Sequence, residues 1–227
     1  MDPSLHPASF PLETLDRASR VRLARAGRIR AVDPRRPLIL PPGSSSGIHL
    51  VVEGAAALRV GTRAGSLALL VVRFAGDLLG DAEEPLGSFA SNGDSPPWFE
   101  LQALVPSRLL AVQAEAFRQV ISEHPAVRHW YLRALAGSSR LSEQRLAEWM
   151  LLSPTDRLEA ALRDIATRRP GGDGRHVELP VTQELLAQMV GISRESANRA
   201  VQALIRRGRL RRSGRSYVVA TGGAERR

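Results

Sequence analysis

The stretch "GISRESANRAVQAL", residues 191–204, decides how the rest of the chain is read. Its second half is an amphipathic helix, with Ala197, Ala200, Val201 and Leu204 at i, i+3, i+4 and i+7. Its first half, Ser193-Arg194-Glu195-Ser196, has nothing apolar to bury. Gly191 can take the left-handed conformation that a sharp change of helix direction needs. Ser193 is placed to cap the new helix by accepting from its free amides. Packing by the apolar stripe leaves Glu195, Asn198, Arg199, Gln202 and Arg206 facing away, with Arg194 at the tip.

Working outward, "TQELLAQMV" (182–190) reads as a preceding helix, and "RLRRSGRSYVVA" (209–220) as two short strands about a Ser-Gly turn. Helix, glycine turn, helix and hairpin make a winged helix-turn-helix. Between Arg194 and Arg215 lie eight arginines (194, 199, 206, 207, 209, 211, 212, 215) against one acid, Glu195. All 32 basic residues of the chain are arginine, and the formal charge is +9. Such a clustered field points to a polyanion. An exposed helix tip carrying arginine and glutamate suits a major groove. Arginine offers paired donors to guanine, and a carboxylate accepts from cytosine N4. Thr182 and Gln183 at the first helix's start, Ser193, and the wing residues Arg211, Arg212 and Arg215 suit backbone phosphates.

Upstream the texture changes twice. From Leu38 to Val112, short β-type runs are cut by Gly, Pro and Ser, as in an antiparallel roll. From Ala114 the period is helical: a short helix ends near Pro125, and residues 126–152 run without proline. As one helix the latter would span roughly 40 Å. A further helix is predicted over about 155–168 and a short strand near 176–179. The expected class is therefore α+β, in three parts. These are a β-roll domain (1–124), a long helix (125–153) suited to a partner helix and a winged helix-turn-helix DNA-binding domain (154–227).

Composition removes several alternatives. At 227 residues with 43% hydrophobic content the chain is globular. It has no cysteine, hence no disulfide, thiolate or cysteine-metal chemistry. No run approaches the ~18 apolar residues of a membrane span. The N-terminus "MDPSLHPASF" has no basic residue, unlike a secretory signal, so a cytoplasmic protein is expected. A cupin-type enzyme on the roll with a basic nucleic-acid-binding tail is the alternative. Cupin metal sites need a His-x-His pair with further ligands, whereas His49 and Glu53 stand alone in "GIHLVVEG". No nucleophile motif is present, no metal site is expected, and the chain reads as a non-enzyme.

The segment "VTQELLAQMVGISRESANRAVQALIRRGRL" (181–210) with "YVV" resembles the DNA-binding domain of the CRP/FNR family of bacterial transcription regulators. The order of roll, long helix and winged helix extends the resemblance over nearly the whole chain. The family's Ser-Arg-Glu-(Thr/Ser)-x-x-Arg signature falls on Ser193 to Arg199. Its Arg, Glu, Arg trio is that of the catabolite-activator branch, which reads TGTGA-like half-sites. The resemblance thus implies that Arg194 and Arg199 read guanines and Glu195 a cytosine, with Asn198 beside them. It also implies a homodimer through the long helix, an inverted-repeat operator in double-stranded DNA, and RNA polymerase as a further partner.

In that family a Gly-Glu pair and an Arg-Ser or Arg-Thr pair hold a cyclic nucleotide in the roll. Here "FAGDLLGDAEEPLG" (74–87) carries Gly80-Asp81 at the first pair, and the second falls at about Pro97-Trp98. "SFASNGDSPPWF" (88–99) contains no arginine to pair with a phosphate. The expected effector is therefore something other than cyclic AMP, or none. A cyclic dinucleotide stacking on Trp98 or Phe99 is one such ligand. The candidate effector residues are Gly80, Asp81, Trp98, Phe99, Ser138 and Ser142. The five scattered histidines (6, 49, 124, 129, 176) favour no haem ligand.

Overall fold

Asp16 opens the first helix by accepting from the Ser19 amide at 2.8 Å, and its carboxyl is held below the ordinary aspartate value chiefly by that bond. The computed structural model describes residues 12–40, 47–61, 67–80, 98–168, 176–177, 182–214 and 216–220. Helix α1 (Arg17–Ala26) leads into strands β1 (Gly27–Val32), β2 (Leu38–Leu40), β3 (Gly47–Glu53), β4 (Ala55–Gly61) and β5 (Leu67–Phe74). Strands β6 (Leu78–Leu79), β7 (Trp98–Ala103) and β8 (Ser107–Gln113) follow. They form two four-stranded antiparallel sheets, in order β1-β8-β3-β6 and β2-β7-β4-β5.

Period-two alternation explains the layering. In β8, Leu109 joins an interior cluster with Val51, Leu58, Phe99 and Leu101. Its neighbour Leu110 points the other way, into a second cluster with Leu23, Ile48, Leu50 and Phe117. That second face is covered by α1, by α2 (Ala114–Glu123) and by the first turns of α3 (Pro125–Leu151), which contribute Val127, Trp130 and Tyr131. Phe117 and Tyr131 meet edge to face with ring centroids 4.9 Å apart.

Helix α3 is continuous over 27 residues, one residue displaced from the expected 126–152. Two compact units, Met1–Glu143 and Gln144–Arg227, divide within it. The second unit continues with α4 (Pro154–Arg168), where Ser153 caps the helix by accepting from the Asp156 amide at 3.3 Å. After β9 (His176–Val177) come α5 (Gln183–Val190), α6 (Arg194–Arg206), β10 (Leu210–Ser213) and β11 (Ser216–Val219). The three strands form one antiparallel sheet, in order β10-β11-β9. Leu158 and Leu162 of α4, Leu186 of α5 and Ala197 and Leu204 of α6 are fully buried, forming this unit's core. Among the described residues no helix is long and apolar enough to cross a membrane.

Candidate nucleic-acid interface

Both helices of the turn begin on side-chain caps. Thr182 accepts from the Leu185 amide at 3.1 Å, and Ser193 from the Ser196 amide at 3.2 Å. Between them Gly191 takes φ 62°, ψ 44°, the left-handed conformation expected of it. The Gly191 and Ile192 amides both donate to the Ala187 carbonyl, closing the end of α5. The apolar stripe of α6 is buried throughout: Ala197, Ala200, Val201 and Leu204.

The opposite face presents Arg194, Glu195, Asn198, Arg199, Gln202 and Arg206 to solvent. Among the described residues Arg194 and Arg206 make no side-chain hydrogen bond or ion pair. Arg199 donates to the Ser196 hydroxyl at 2.7 Å. The free amide at the helix start and then the Ser193 side chain hold the Glu195 carboxyl below its ordinary value, Arg194 and Arg199 contributing less. At neutral pH Glu195 is thus an acceptor only. Gln183 reaches across from α5 and donates to the Asn198 side-chain carbonyl at 3.0 Å, leaving the Asn198 amide group to solvent.

The arginine cluster proves to be two sets. Arg209 pairs with Glu159 of α4 at 2.7 Å, which raises its pKa, and Arg207 lies 3.8 Å from Asp156. These two fasten the wing's approach to α4, a role the charge count alone did not separate. Arg211 and Arg212 are exposed on β10, Arg212 bonding only the Gly214 carbonyl at 3.2 Å. Arg215 lies outside the described residues.

The roll treats its candidate residues differently. Phe99 is fully buried in the interior cluster. Gly80 has φ 88°, and a Cβ there would stand 2.5 Å from the Gly47 carbonyl, so turn and close approach both demand glycine. Trp98 begins β7 opposite Gly61, and Asp81 lies outside the described residues. Ser138 accepts from Arg73 at 2.8 Å, and Ser142 donates to the Ser138 carbonyl at 3.0 Å. Arg73 is buried and sits opposite Ala56 of the interior cluster. Its mark in the sequence is a lone charge in the apolar run "LALLVVRF" (67–74). Burial, then Arg30, pushes the His49 pKa down. Among the described residues no three His, Asp or Glu side chains are placed to hold a metal ion.

A capped helix-turn-helix with a basic hairpin, preceded by a two-sheet roll and a long helix, defines a DNA-binding regulator. Residues 144–221 match the Crp-like helix-turn-helix domain. Over 219 residues the chain is 27% identical to the CRP-like cAMP-activated global transcriptional regulator of Mycobacterium tuberculosis, covering 87% of this chain and 94% of that one. It is 22% identical over 176 residues to the cAMP-activated global transcriptional regulator CRP of Salmonella typhimurium, covering 76% and 80%. Its fold matches that of the c-di-GMP responsive global regulator CLP of Xanthomonas campestris with a TM-score of 0.67 at 22% identity, over 91% of this chain and 100% of that one. FixK2 of Bradyrhizobium japonicum gives the same TM-score, 0.67, at 18% identity over 86% and 93%. Residues 144–221 thus carry a Crp-like helix-turn-helix domain, and over most of its length the chain is similar to CRP-like transcriptional regulators. The cupin-type alternative has no support among these relatives.

Proposed function

We propose that the chain is a homodimeric, sequence-specific regulator that reads a TGTGA-like inverted repeat. Arg194 and Arg199 read guanines, Glu195 accepts from a cytosine, and Asn198 flanks them. Thr182, Gln183, Ser193, Arg211, Arg212 and Arg215 hold phosphates. The observation that carries this reading is the solvent face of α6, where two arginines and an ionised glutamate stand exposed together, with no salt bridge to another element among the described residues.

Dimerisation through α3 is supported by its exposed stripe. Leu132, Ser139 and Leu146 recur every seven residues, as do Ser142 and Trp149 beside them. Leu132, Leu146 and Trp149 are 57%, 63% and 50% exposed, too much apolar surface for an unaccompanied helix. Such a regulator acts in the cytoplasm, has RNA polymerase as a further partner and catalyses no reaction. Its effector is a small molecule other than cyclic AMP, or it has none, since about Pro97-Trp98 stands where a phosphate would need an arginine. A cyclic dinucleotide is the first ligand to try, in keeping with the c-di-GMP response of the Xanthomonas campestris relative.

Binding to a TGTGA palindrome and to scrambled duplex at one salt concentration tests the reading. Preference for the palindrome should reach at least tenfold, because each mismatched pair costs about 1–3 kcal/mol. Equal binding overturns it. Light scattering checks the dimer, and calorimetry with cyclic mono- and dinucleotides checks the effector.

A further inference from the structure

We infer that Trp149, near the C-terminal end of α3, is a positioning residue for DNA reading that seats the helix turn from outside the motif. Among the described residues of this unit, three glycines have left-handed φ: Gly191 (62°), Gly208 (67°) and Gly214 (59°). A Cβ on Gly208 or Gly214 would meet nothing within 4 Å, so those two answer to φ alone. A Cβ on Gly191 would stand 2.6 Å from Trp149 Cζ2 and closer still to Cη2. The far edge of the indole therefore rests on the backbone of the turn. Any side chain at 191 would displace one or the other.

The indole is also held from α4. The Arg157 guanidinium carbon lies 4.6 Å from the ring centroid, and Arg157 donates to the Trp149 carbonyl at 3.2 Å. Trp149 is thus fixed between a stacked cation and a glycine three residues before Arg194. Its 50% exposure shows that burial alone does not demand so large a side chain. Reach does, because the six-membered ring makes the contact. Bidentate base contacts require their arginines in one geometry. A seat under the turn sets that geometry for Arg194, Glu195 and Arg199 together. Trp149 also lies on the seven-residue stripe of α3, so it links the proposed dimer seam to the reading helix.

The inference rests on the proposed sequence-specific reading, and its test keeps the two apart. Full-length protein first selects its preferred duplex from a random pool, which makes the test independent of TGTGA. Trp149→Phe keeps a ring against Arg157 but is too short for Gly191. Binding of this variant to the selected duplex should weaken about tenfold, while scrambled-duplex binding at the same salt and the melting temperature stay near wild type. Parallel loss on both duplexes, or no loss on either, overturns the inference. A double-mutant cycle with Gly191→Ala, read by thermal unfolding, needs no DNA. Gly191→Ala should lower the melting temperature less in the Trp149→Phe background than in wild type, and additive effects overturn the contact. A wild-type protein that selects no duplex sinks the specific reading instead, and the cycle still tests the seat.

Discussion

The winged-helix unit and the roll both carry polar residues at positions a regulator uses, but they spend them in opposite ways. On α6 the polar face looks outward. Arg194 makes no side-chain hydrogen bond or salt bridge among the described residues, and Arg199 donates to a serine hydroxyl of its own helix. In the roll the polar groups turn inward: Arg73 is buried and binds Ser138 from 65 residues away. A surface for a large, rigid polyanion can be left open to solvent at little cost, since exposed charges stay hydrated. A buried cation must be satisfied by the fold itself. The lesson is that one unit displays its chemistry on contiguous sequence, while the other folds it away.

The largest effect expected comes from separating the two faces of α6. Leu204→Ala removes a fully buried side chain and should cost about 2–5 kcal/mol, read by denaturant unfolding, with DNA binding lost as the unit loosens. Arg199→Ala, on the opposite face of the same helix, should leave unfolding within about 0.5 kcal/mol of wild type. Its preferred-duplex affinity should fall by about 1–3 kcal/mol, read by fluorescence anisotropy. A stability loss at Arg199 comparable to that at Leu204 would erase the contrast.

That contrast also explains what the sequence revealed. The helix-turn-helix lies within 182–206, and caps, glycine, apolar stripe and polar tip are all local, so periodicity and turn chemistry expose them. The sheets were legible as short strands but their pairing was not: β1 pairs with β8, and β2 with β7, across most of the roll. Arg73 meets Ser138, and Trp149 meets Gly191, through tertiary packing that no spacing rule contains. Phe99 shows the converse: an aromatic beside a loop reads as a stacking platform, yet the period of β7 turns it into the core.

In the roll the smaller effect runs the other way. Ser138→Ala removes an acceptor from a buried arginine and should cost on the order of 1 kcal/mol in thermal unfolding. Effector-free binding to the selected duplex should not change. A change in DNA affinity without loss of stability would mean that this roll-to-helix bond is read by the DNA-binding unit.

Glu195 sharpens the comparison through pH. Its folded carboxyl lies below the ordinary value near 4.5, so the charged form prevails above that value and is lost only as pH falls through the lowered one. Preference for cytosine at its base pair should therefore hold from about pH 7 to about pH 5 and decline below, whereas Glu195→Gln should show a weaker preference independent of pH over that range. A preference that fades already between about pH 7 and pH 6 would place the titrating group elsewhere.

The smallest effect distinguishes arginines that face DNA from arginines that hold the wing. Arg211 is exposed on β10 with no ion-pair partner among the described residues, while Arg207 faces Asp156. If Arg211 neutralises one phosphate, Arg211→Ala should weaken all duplexes alike and reduce the slope of log affinity against log salt by about 0.9. Arg207→Ala should leave that slope unchanged, because its charge is already matched within the protein and its exposed pair contributes at most about 1 kcal/mol to stability. Equal slopes for both variants would mean that the ion pair with α4 opens on DNA and that all the basic residues around the wing act as one field.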